Sequence, residues 1–473
     1  MKEVMSYALQ WVDGICVKIE WVLQSALPWI EIVWLASTSI KESSQRVRAA
    51  CKSVWISLPP KKILINMSPS SLRKSWTQYD LALFTLIVLL VSNKQSTLID
   101  ESCILWEIWL DWSIKHIPGV LPTLLAAERK WVRSFIVPRE SFNELPTLQN
   151  VTIYCVTNVS ELVDHIYKQA PLLPVTTPPD STLQPSVPKP FEWVIWHTSI
   201  KRALHIAMQW RHNILLIWPP GVGKSLLVES IQWFQHSRTT QEMYETQSLY
   251  SIRWLPVPTV RPFRRVHHTI SRTWLLGGTS NVSPGEISLA HLWVLYLDEL
   301  AEFPRSTLEL LRQPLQDKTI LLSLSWTTVV YNCNVQLIAT MNPCPCGWYQ
   351  SSIKSCTCSY VAIKRYQSTL SWPLLDRFAM VVQVHEQDLE QIHISSTDYK
   401  LIDAIDSVDK KFDSNFTATL HKTSKKLHIS HRWTQHLRSL AHSIAVLNWS
   451  ECVTSSHLYE AAQYRTHTLF DVW

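Results

Sequence analysis

The segment that most constrains the fold of this chain is an apolar run followed by a tight loop and a helical pattern. Residues 213–217 (NILLI) form a short continuous apolar run, as in strands buried in a parallel sheet. The loop after it reads WPPGVGKS from Trp218 to Ser225, and the helical segment LLVESIQ follows. Strand, tight loop and helix are the context of a phosphate-binding loop, so the sequence predicts an α/β fold around a parallel sheet.

Each residue of this loop has a predicted role. Backbone N–H groups would cradle the phosphates, Lys224 would reach the β- and γ-phosphates, and Ser225 would bind Mg²⁺. ATP and Mg²⁺ are therefore the predicted cofactors, and the predicted nucleotide-binding loop consists of Pro219, Pro220, Gly221, Val222, Gly223, Lys224 and Ser225. The alternative, a chance Gly-Lys-Ser in a loop, is disfavoured by the flanking strand and helix. One position departs from the pattern GxxxxGK[ST], because Trp218 stands where the pattern begins with glycine.

A second apolar run, at residues 294–297, ends in two acidic residues. Asp298 is placed to bind Mg²⁺, and Glu299 is placed to orient the attacking water. Paired acids after a strand are otherwise an ordinary solvated strand end. Downstream of a phosphate-binding loop, they indicate an ATPase.

Several longer motifs carry a family resemblance. They read LDELAEFPRSTLELLRQPLQD at residues 297–317, IATMNPCPCG at 338–347 and LLDRF at 374–378. With the phosphate-binding loop, these motifs resemble those of the Mg-chelatase-like AAA+ ATPases of the YifB/ComM type, and the resemblance extends over nearly the whole chain. It implies an N-terminal ribosomal-S5-like or Lon-like α+β domain, a P-loop AAA+ domain with a central parallel sheet, and a C-terminal helical lid.

The resemblance also implies roles for three polar residues. Asn342 matches the sensor of the γ-phosphate, Arg377 matches the arginine finger offered to a neighbouring subunit, and Arg432 matches the second sensor in the lid. A guanidinium supplied across a subunit boundary stabilises transition-state charge only when a ring assembles. For Arg377 and Arg432 the alternative is a surface ion pair.

A proline-rich stretch divides the chain. Seven prolines lie between Pro171 and Pro190, a composition that favours an extended linker over a packed core. The predicted domains are residues 1–168, a linker at 169–190, an ATPase domain at 191–390 and a helical lid at 391–473. Strands are predicted within residues 16–19 and 63–65, and helices within residues 39–50, 81–91 and 431–446.

The N-terminal half raises the hypothesis of a Lon-type protease, which needs a serine nucleophile activated by a lysine. In the matching stretches, Gln78 stands near the serine position and Pro122 near the lysine position. Protease activity is therefore not expected, and a binding or assembly domain is the preferred interpretation.

Four of the ten cysteines lie within fifteen residues. Cys344-x-Cys346 and Cys356-x-Cys358 could close a tetrahedral Zn²⁺ site, although the one-residue spacing is tighter than the usual CxxC. A metal site and a local structural cluster remain alternatives. A rival pair of metal ligands, His267 and His268, is disfavoured because adjacent histidines usually point apart; contact with substrate or a neighbouring subunit is preferred.

The glycine and tryptophan counts are abnormal. The chain has 24 Trp and 8 Gly, whereas average usage predicts about 33 Gly in this length. At eight positions of the family motifs, this chain has tryptophan where the family has glycine. Six further tryptophans plausibly match family glycines, whereas Trp193 and Trp348 match none. The matching positions are Trp34, Trp106, Trp109, Trp112, Trp218, Trp293, Trp372 and Trp449, with Trp29, Trp55, Trp76, Trp196, Trp210 and Trp274 as the plausible ones. We interpret them as UGA codons that encode glycine and were translated as tryptophan, and we expect the indoles to be strained in tight turns or exposed beside them.

Composition limits the remaining alternatives. The longest apolar run, at residues 81–91, is far shorter than the 18 or more residues of a membrane span. No secretion signal is indicated, so a cytoplasmic protein without a membrane partner is expected. The net charge of +6 permits DNA as a partner. The resemblance implies a ring, expected to be a hexamer, that drives branch migration of DNA in recombination or uptake. A motor subunit of a magnesium chelatase is the alternative, and a non-catalytic interaction module is disfavoured by Lys224, Asp298, Glu299 and Asn342.

Overall fold

In the computed structural model, the chain forms two compact units. The first comprises Met1–Leu183 with Met243–Val257, and the second Gln184–Glu242 with Pro258–Trp473. The structure describes residues 3–10, 13–33, 38–69, 78–109, 111–115, 117, 119–142, 145–146, 148, 150–175, 198–220, 231–232, 234, 238–258, 260–278, 283–324, 327–351, 354–384, 410–426 and 429–464.

The first unit is built on a mixed eight-stranded sheet in the order β10-β9-β8-β5-β1-β2-β4-β3, and a separate hairpin is formed by β6 and β7. The strands are β1 Glu3–Gln10, β2 Asp13–Gln24, β3 Ile30–Val33, β4 Lys62–Ser68, β5 Ser102–Ile104, β6 Glu107–Ile108, β7 Ile114–Lys115, β8 Ser134–Pro138, β9 Thr152–Val156 and β10 Pro174–Val175. The helices are α1 Thr38–Ser53, α2 Asp80–Ser92, α3 Thr97–Glu101, α4 Val120–Arg129, α5 Arg139–Phe142 and α6 Val159–Tyr167.

The centre of the first unit is α2, whose apolar residues cover the whole circumference of the helix. A helix that is apolar on every side is stable only inside a core, and residues 81–89 are all buried. The strands predicted at residues 16–19 and 63–65 are confirmed as parts of β2 and β4, and the helices predicted at 39–50 and 81–91 are confirmed as α1 and α2. Of the proline-rich stretch, Pro174–Val175 pairs with β9 at the sheet edge, and residues 176–190 lie outside the described part of the chain.

The second unit contains the predicted central parallel sheet, in the order β12-β15-β18-β11-β19. Its strands, including short hairpins beside the sheet, are β11 Ile214–Ile217, β12 Phe263–Val266, β13 Gly277–Gly278, β14 Ser283–Pro284, β15 Val294–Leu297, β16 Thr319–Leu324, β17 Thr327–Asn332, β18 Gln336–Met341, β19 Met380–Gln383, β20 Lys411–Phe412 and β21 Cys452–Val453. The runs predicted as buried parallel strands, 213–217 and 294–297, are confirmed as β11 and β15.

Helices flank this sheet and form the C-terminal part of the chain. They are α7 Thr198–Gln209, α8 Thr240–Arg253, α9 Arg272–Leu276, α10 Glu286–Leu289, α11 Arg305–Glu309, α12 Arg312–Asp317, α13 Tyr360–Gln367, α14 Trp372–Leu375, α15 Phe416–Lys426, α16 His431–Leu447 and α17 Ser455–Gln463. The helix predicted at 431–446 is confirmed as α16. Most of α8 clusters with the first unit.

Four helices end in the same way, with a tryptophan in the left-handed conformation. After α16, the Trp449 N–H donates to the Val446 carbonyl and the Ser450 N–H donates to the Ala445 carbonyl, both at 3.0 Å. This is the Schellman pattern, in which the left-handed C′ residue is usually glycine. The same pair of bonds and a φ between 55° and 67° occur at Trp55, Trp131, Trp254 and Trp449.

Tryptophan is over-represented at strained backbone positions generally. Of the fourteen non-glycine residues with positive φ in the described chain, six are tryptophan, the other two being Trp106 and Trp112. A bulky residue with positive φ is a steric outlier. The expectation of strained or exposed indoles is thus confirmed for these residues and for exposed Trp29, Trp109, Trp274 and Trp372.

The same expectation is wrong for two motif positions. Trp218 and Trp293 are 0% exposed and pack in the core of the second unit. The core of the second unit therefore encloses both indoles, one of them at the residue that leads into the phosphate-binding loop.

Candidate functional site

Three adjacent parallel strands bring the predicted site residues to one edge of the sheet. In the register, Ile217 of β11 pairs with Met341 of β18, and Ala339 of β18 pairs with Leu297 of β15. Because the carboxyl ends of parallel strands meet at one edge, the residues that follow these strands lie side by side. They are Pro219 and Pro220 after β11, Asp298 and Glu299 after β15, and Asn342 after β18.

The remaining loop residues lie outside the part of the chain that the structure describes. They are Gly221, Val222, Gly223, Lys224 and Ser225. The described entry to the loop is fixed to the neighbouring strand, because the Trp218 N–H donates to the Met341 carbonyl at 2.9 Å. The first residue of the loop is thereby held beside the strand that carries Asn342.

The Asp298 carboxylate is held by two side chains. The Thr340 hydroxyl donates to one oxygen at 2.9 Å, and the Arg265 guanidinium donates to the other at 2.8 Å. The Tyr296 hydroxyl is 3.0 Å from the Thr340 hydroxyl, which extends the network into the sheet. These bonds favour the ionised carboxylate, a hard oxygen ligand of the kind that Mg²⁺ prefers. Because the Arg265 guanidinium already pairs with one carboxylate oxygen, a Mg²⁺ ion at Asp298 would have to share the carboxylate with Arg265 or displace it.

Glu299 has an unusual backbone and an accessible side chain. Its φ is 53°, and it begins the short 3₁₀ helix Leu300–Glu302. Its side chain is 45% exposed, and the nearest imidazole nitrogen, of His268, is 3.6 Å from a carboxylate oxygen. A left-handed non-glycine residue costs about 1–3 kcal/mol and, besides helix ends, such residues cluster at functional sites. The Glu299 carboxylate is accessible to solvent at the end of β15, where it could orient a water.

The residues after β18 are fixed by α13. The Tyr366 side chain hydrogen-bonds to the backbone of Asn342. The Gln367 side chain donates to the buried Pro343 carbonyl at 3.1 Å. These bonds hold the chain at the end of β18, so the position of Asn342 beside the loop is set by the surrounding fold.

Arg377 and Arg432 meet at one acceptor. The Gln316 side-chain oxygen accepts from Arg377 at 2.6 Å and from Arg432 at 3.3 Å. Arg377 also donates to the Pro373 carbonyl at 2.7 Å, while Arg432 lies 3.5 Å from the Asp376 carboxylate. Burial and the neighbouring Arg432 lower the pKa of Arg377. Arg432 therefore takes part in the ion pair considered for it, and its guanidinium shares the neutral amide acceptor of Gln316 with that of Arg377.

Three arginines in and just before β12 are each bound to a carboxylate of their own unit. Arg264 forms a bidentate pair with Glu286 at 2.7 and 2.9 Å. Arg261, 6% exposed, binds Glu242 at 3.0 Å, and Arg265 binds Asp298 as described. The Arg265–Asp298 pair joins the end of β12 to the end of β15, and the other two pairs join this segment to neighbouring helices.

The expectation that His267 and His268 point apart is wrong. Their ring centroids are 4.0 Å apart, and His267 contacts the Thr269 hydroxyl at 3.0 Å. The backbone after β12 turns at this point instead of continuing as an extended strand, which lets both rings lie on one side. His268 is thereby placed beside Glu299.

The four clustered cysteines converge on one point. Their sulfur atoms all lie within 4.8 Å of one another, and among the described residues they are the one group of three or more potential metal ligands that is gathered in this way. Backbone N–H groups, that of Trp348 first, lower the pKa of Cys346 to about 5, whereas burial raises the pKa of Cys344 to about 12. Such a cluster loses its protons one after another, and its arrangement could hold a metal ion.

In the first unit, the positions matched to a protease are packed into the fold. Gln78 is 3% exposed, and its side chain donates to the Tyr7 carbonyl at 3.0 Å. Pro122 is buried in the first turn of α4. Both residues serve the packing of this unit.

Sequence reasoning missed three residues that position the site: Thr340, Gln316 and Tyr366. Thr340 is a polar residue near the end of a mostly apolar strand, a signal that could have been used. Gln316 and Tyr366 lie on helices far along the chain, and only the tertiary fold brings them to the site.

The chain is similar to known proteins over most of its length. The profile of the magnesium chelatase subunit ChlI matches residues 191–392, and a second profile of the same subunit matches residues 19–141. The YifB protein of Escherichia coli is 31% identical, covering 95% of this chain and 94% of its own. The competence protein ComM of Haemophilus influenzae is 30% identical, covering 98% and 97%. A Mycobacterium tuberculosis protein is 32% identical, covering 80% and 76%.

Within the described residues, no helix is both long enough and apolar enough to cross a membrane.

Proposed function

The chain belongs to the Mg-chelatase-like family that includes YifB and ComM, and we propose that it is an ATP-hydrolysing AAA+ motor that works as a ring on DNA. The observation that carries the proposal is the convergence of Asp298, Glu299 and Asn342 at the carboxyl edge of three adjacent parallel strands, beside the entry to the phosphate-binding loop. This edge is where open parallel sheets bind nucleotides.

The proposed chemistry divides among these residues. Lys224 and the loop backbone bind the phosphates, and Ser225 with Asp298 would hold Mg²⁺. The metal ion, when bound, neutralises charge on the phosphates. Glu299 orients the attacking water, and Asn342 contacts the γ-phosphate from the end of β18. Arg265 and Thr340 act as positioning residues, because they hold the Asp298 carboxylate.

Assembly into a ring, which we propose is a hexamer, would complete the site. Arg377 and Arg432 share the neutral acceptor Gln316. A neighbouring subunit's nucleotide would offer Arg377 phosphate oxygens in place of this amide, and a guanidinium at that position stabilises charge in the transition state. Arg432 would act as the second sensor in the lid.

DNA is the proposed substrate of the motor, in recombination or uptake. The support is the family membership and the competence function in the name of ComM. The test measures ATP hydrolysis with and without branched DNA, together with strand displacement. Stimulation by DNA with displacement is expected, and it should be lost in Glu299→Gln. ATP hydrolysis that ignores DNA but rises with porphyrin-binding partner subunits would instead indicate a chelatase motor, the function in the name of the matching profile.

We further propose that glycine replaces tryptophan at the strained positions in the protein that the cell makes. The support is the Schellman geometry at four tryptophans, of which Trp131 and Trp254 are positions that the family motifs had not indicated. Reading the codons and sequencing the peptides of the native protein test this. UGA codons and glycine in the peptides are expected, whereas UGG codons contradict the proposal.

A further inference from the structure

We propose that Cys344, Cys346, Cys356 and Cys358 bind one structural Zn²⁺, and that this zinc site braces the entry to the phosphate-binding loop. The sulfur atoms come from two short segments, the turn after β18 and the chain just before α13. No disulfide joins them, since all ten cysteines are free thiols.

The distances between the sulfur atoms agree with a tetrahedral zinc centre. With Zn–S bonds of about 2.3 Å, the edges of a tetrahedron of sulfurs are about 3.8 Å long. The sulfur of Cys344 is 3.4 Å from that of Cys346 and 3.7 Å from that of Cys356, and the latter two are 3.5 Å apart. A disulfide would require about 2.05 Å. Three of the thiols are therefore spaced as ligands of one ion and not as oxidised pairs, and the sulfur of Cys358 lies within 4.8 Å of each of them.

Backbone groups around the cluster match those of a metal site. The Tyr349 N–H donates to the Cys344 sulfur at 3.3 Å. Backbone N–H groups of Trp348 and Thr357 bond to the Cys346 sulfur. Such bonds orient thiolates and stabilise their charge in metal centres. The four-sulfur donor set favours zinc or an iron–sulfur cluster over harder cations.

The turn that carries the first two ligands touches the nucleotide loop. The Gly347 N–H donates to the Cys344 carbonyl at 2.9 Å, and Gly347 has a φ of +82°. A Cβ atom at Gly347 would lie 2.6 Å from Cδ of Pro220. The cysteine turn thus packs directly against Pro220, the residue before the glycines of the loop. An ion that fixes this turn also fixes one wall of the loop entry.

The metal is tested on the full-length protein, purified under reducing conditions without chelators. We expect about one zinc per chain by mass spectrometry of the metal content. Cys356→Ser with Cys358→Ser should lose it, while Cys452→Ser, a thiol outside the cluster, should retain it. Zinc in the double variant, or iron in the wild type, would overturn the assignment. Should the double variant fail to fold, an organomercurial titration of the folded wild type must release one zinc as thiols react, and no release would equally overturn it.

The bracing role, which rests on the proposed function, is tested by Gly347→Ala. The added methyl group should keep the zinc content unchanged and weaken binding of a fluorescent ATP analogue about tenfold, because overpacking at Pro220 shifts the loop. Gly119→Ala is the matched control, since Gly119 also has a positive φ, +78°, and its added methyl group would meet Leu9 of the first unit. Wild-type affinity in Gly347→Ala would refute the brace. A wild type that binds zinc but no nucleotide would refute the proposed function alone.

Discussion

The two units of the molecule place their polar residues differently around their sheets. In the mixed sheet of the first unit, Gln78 is bound to the backbone of β1, and the carboxylate of Asp80 accepts from Arg46 at 2.7 Å. In the parallel sheet of the second unit, Asp298, Glu299 and Asn342 lie at one edge, where all carboxyl ends meet. Strand direction therefore determines whether functional residues can lie close together at one edge of a sheet. A parallel sheet collects the residues that follow its strands, whereas a mixed sheet sends them to both edges.

The largest expected effect is at the edge of the parallel sheet. Glu299→Gln removes the carboxylate that would orient the attacking water, so kcat for ATP hydrolysis should fall about 10²- to 10³-fold. Nucleotide affinity should stay near that of the wild type. Glu302→Gln, an exposed acid three residues further along, is the control and should retain kcat. An active Glu299→Gln protein would remove the catalytic distinction between the two sheets.

A second test uses pH to separate the two units. Burial, together with His436, lowers the pKa of His212 to about 4, against about 6.5 in an unfolded chain. As the pH falls from 6.5 towards 4, the unfolded chain binds a proton that the folded chain does not, so stability is lost, up to about 3 kcal/mol. In the first unit, Asp80 changes stability with pH in the opposite direction. Burial raises the pKa of Asp80 in the folded state despite the nearby Arg46, so the folded chain binds this proton before the unfolded chain does as the pH falls, and Asp80 adds stability at lower pH.

Urea unfolding at pH 7.5 and pH 5.0 measures this difference. The wild type should lose about 2 kcal/mol more than His212→Gln between these two pH values. Glutamine can keep a hydrogen bond to the Ser443 hydroxyl, which lies 2.8 Å from the imidazole. Equal pH dependence in both proteins would mean that His212 does not contribute to the acid sensitivity of the second unit.

Much of the second unit could be predicted from sequence because its signals are local. A continuous apolar run followed by a polar loop specified both β11 and β15, and the parallel sheet then fixed which residues meet. Contacts such as those of Gln316 with Arg377 and Arg432 could not be predicted, because they join helices separated by up to 116 residues. The two histidines after β12 were misread for a related reason, since a turn in the backbone replaced the assumed extended strand.

Family motifs and backbone geometry identified different tryptophans at positions suited to glycine. The motif comparison located Trp449, but it missed Trp131 and Trp254, which lie in segments without a family motif. Backbone geometry found them, because a Schellman ending requires a left-handed residue whatever the sequence says. Trp218 shows the converse, since the motif indicated glycine and the core nevertheless encloses the indole.

A smaller effect is expected in the mixed sheet. Gln78→Ala removes the bond to the Tyr7 carbonyl and leaves that buried acceptor with one partner fewer, which should cost about 1–2 kcal/mol of unfolding free energy. Because Gln78 serves packing, kcat for ATP hydrolysis at 25 °C should be unchanged. A loss of kcat at full stability would give the first unit a direct role in the reaction and would break the comparison.

The smallest effect is shared by both units and concerns the helix ends. Trp449→Gly should raise the free energy of unfolding by about 1 kcal/mol, because glycine adopts the left-handed conformation without the steric cost of a side chain. Trp449→Ala is the matched control, since alanine also loses the indole, which is 74% exposed, but keeps the Cβ atom. Trp131→Gly should raise the free energy of unfolding of the first unit for the same reason. Stabilisation by alanine equal to that by glycine would assign the effect to the exposed indole. Stabilisation by glycine alone would show that the backbone of both units is built for glycine at these positions.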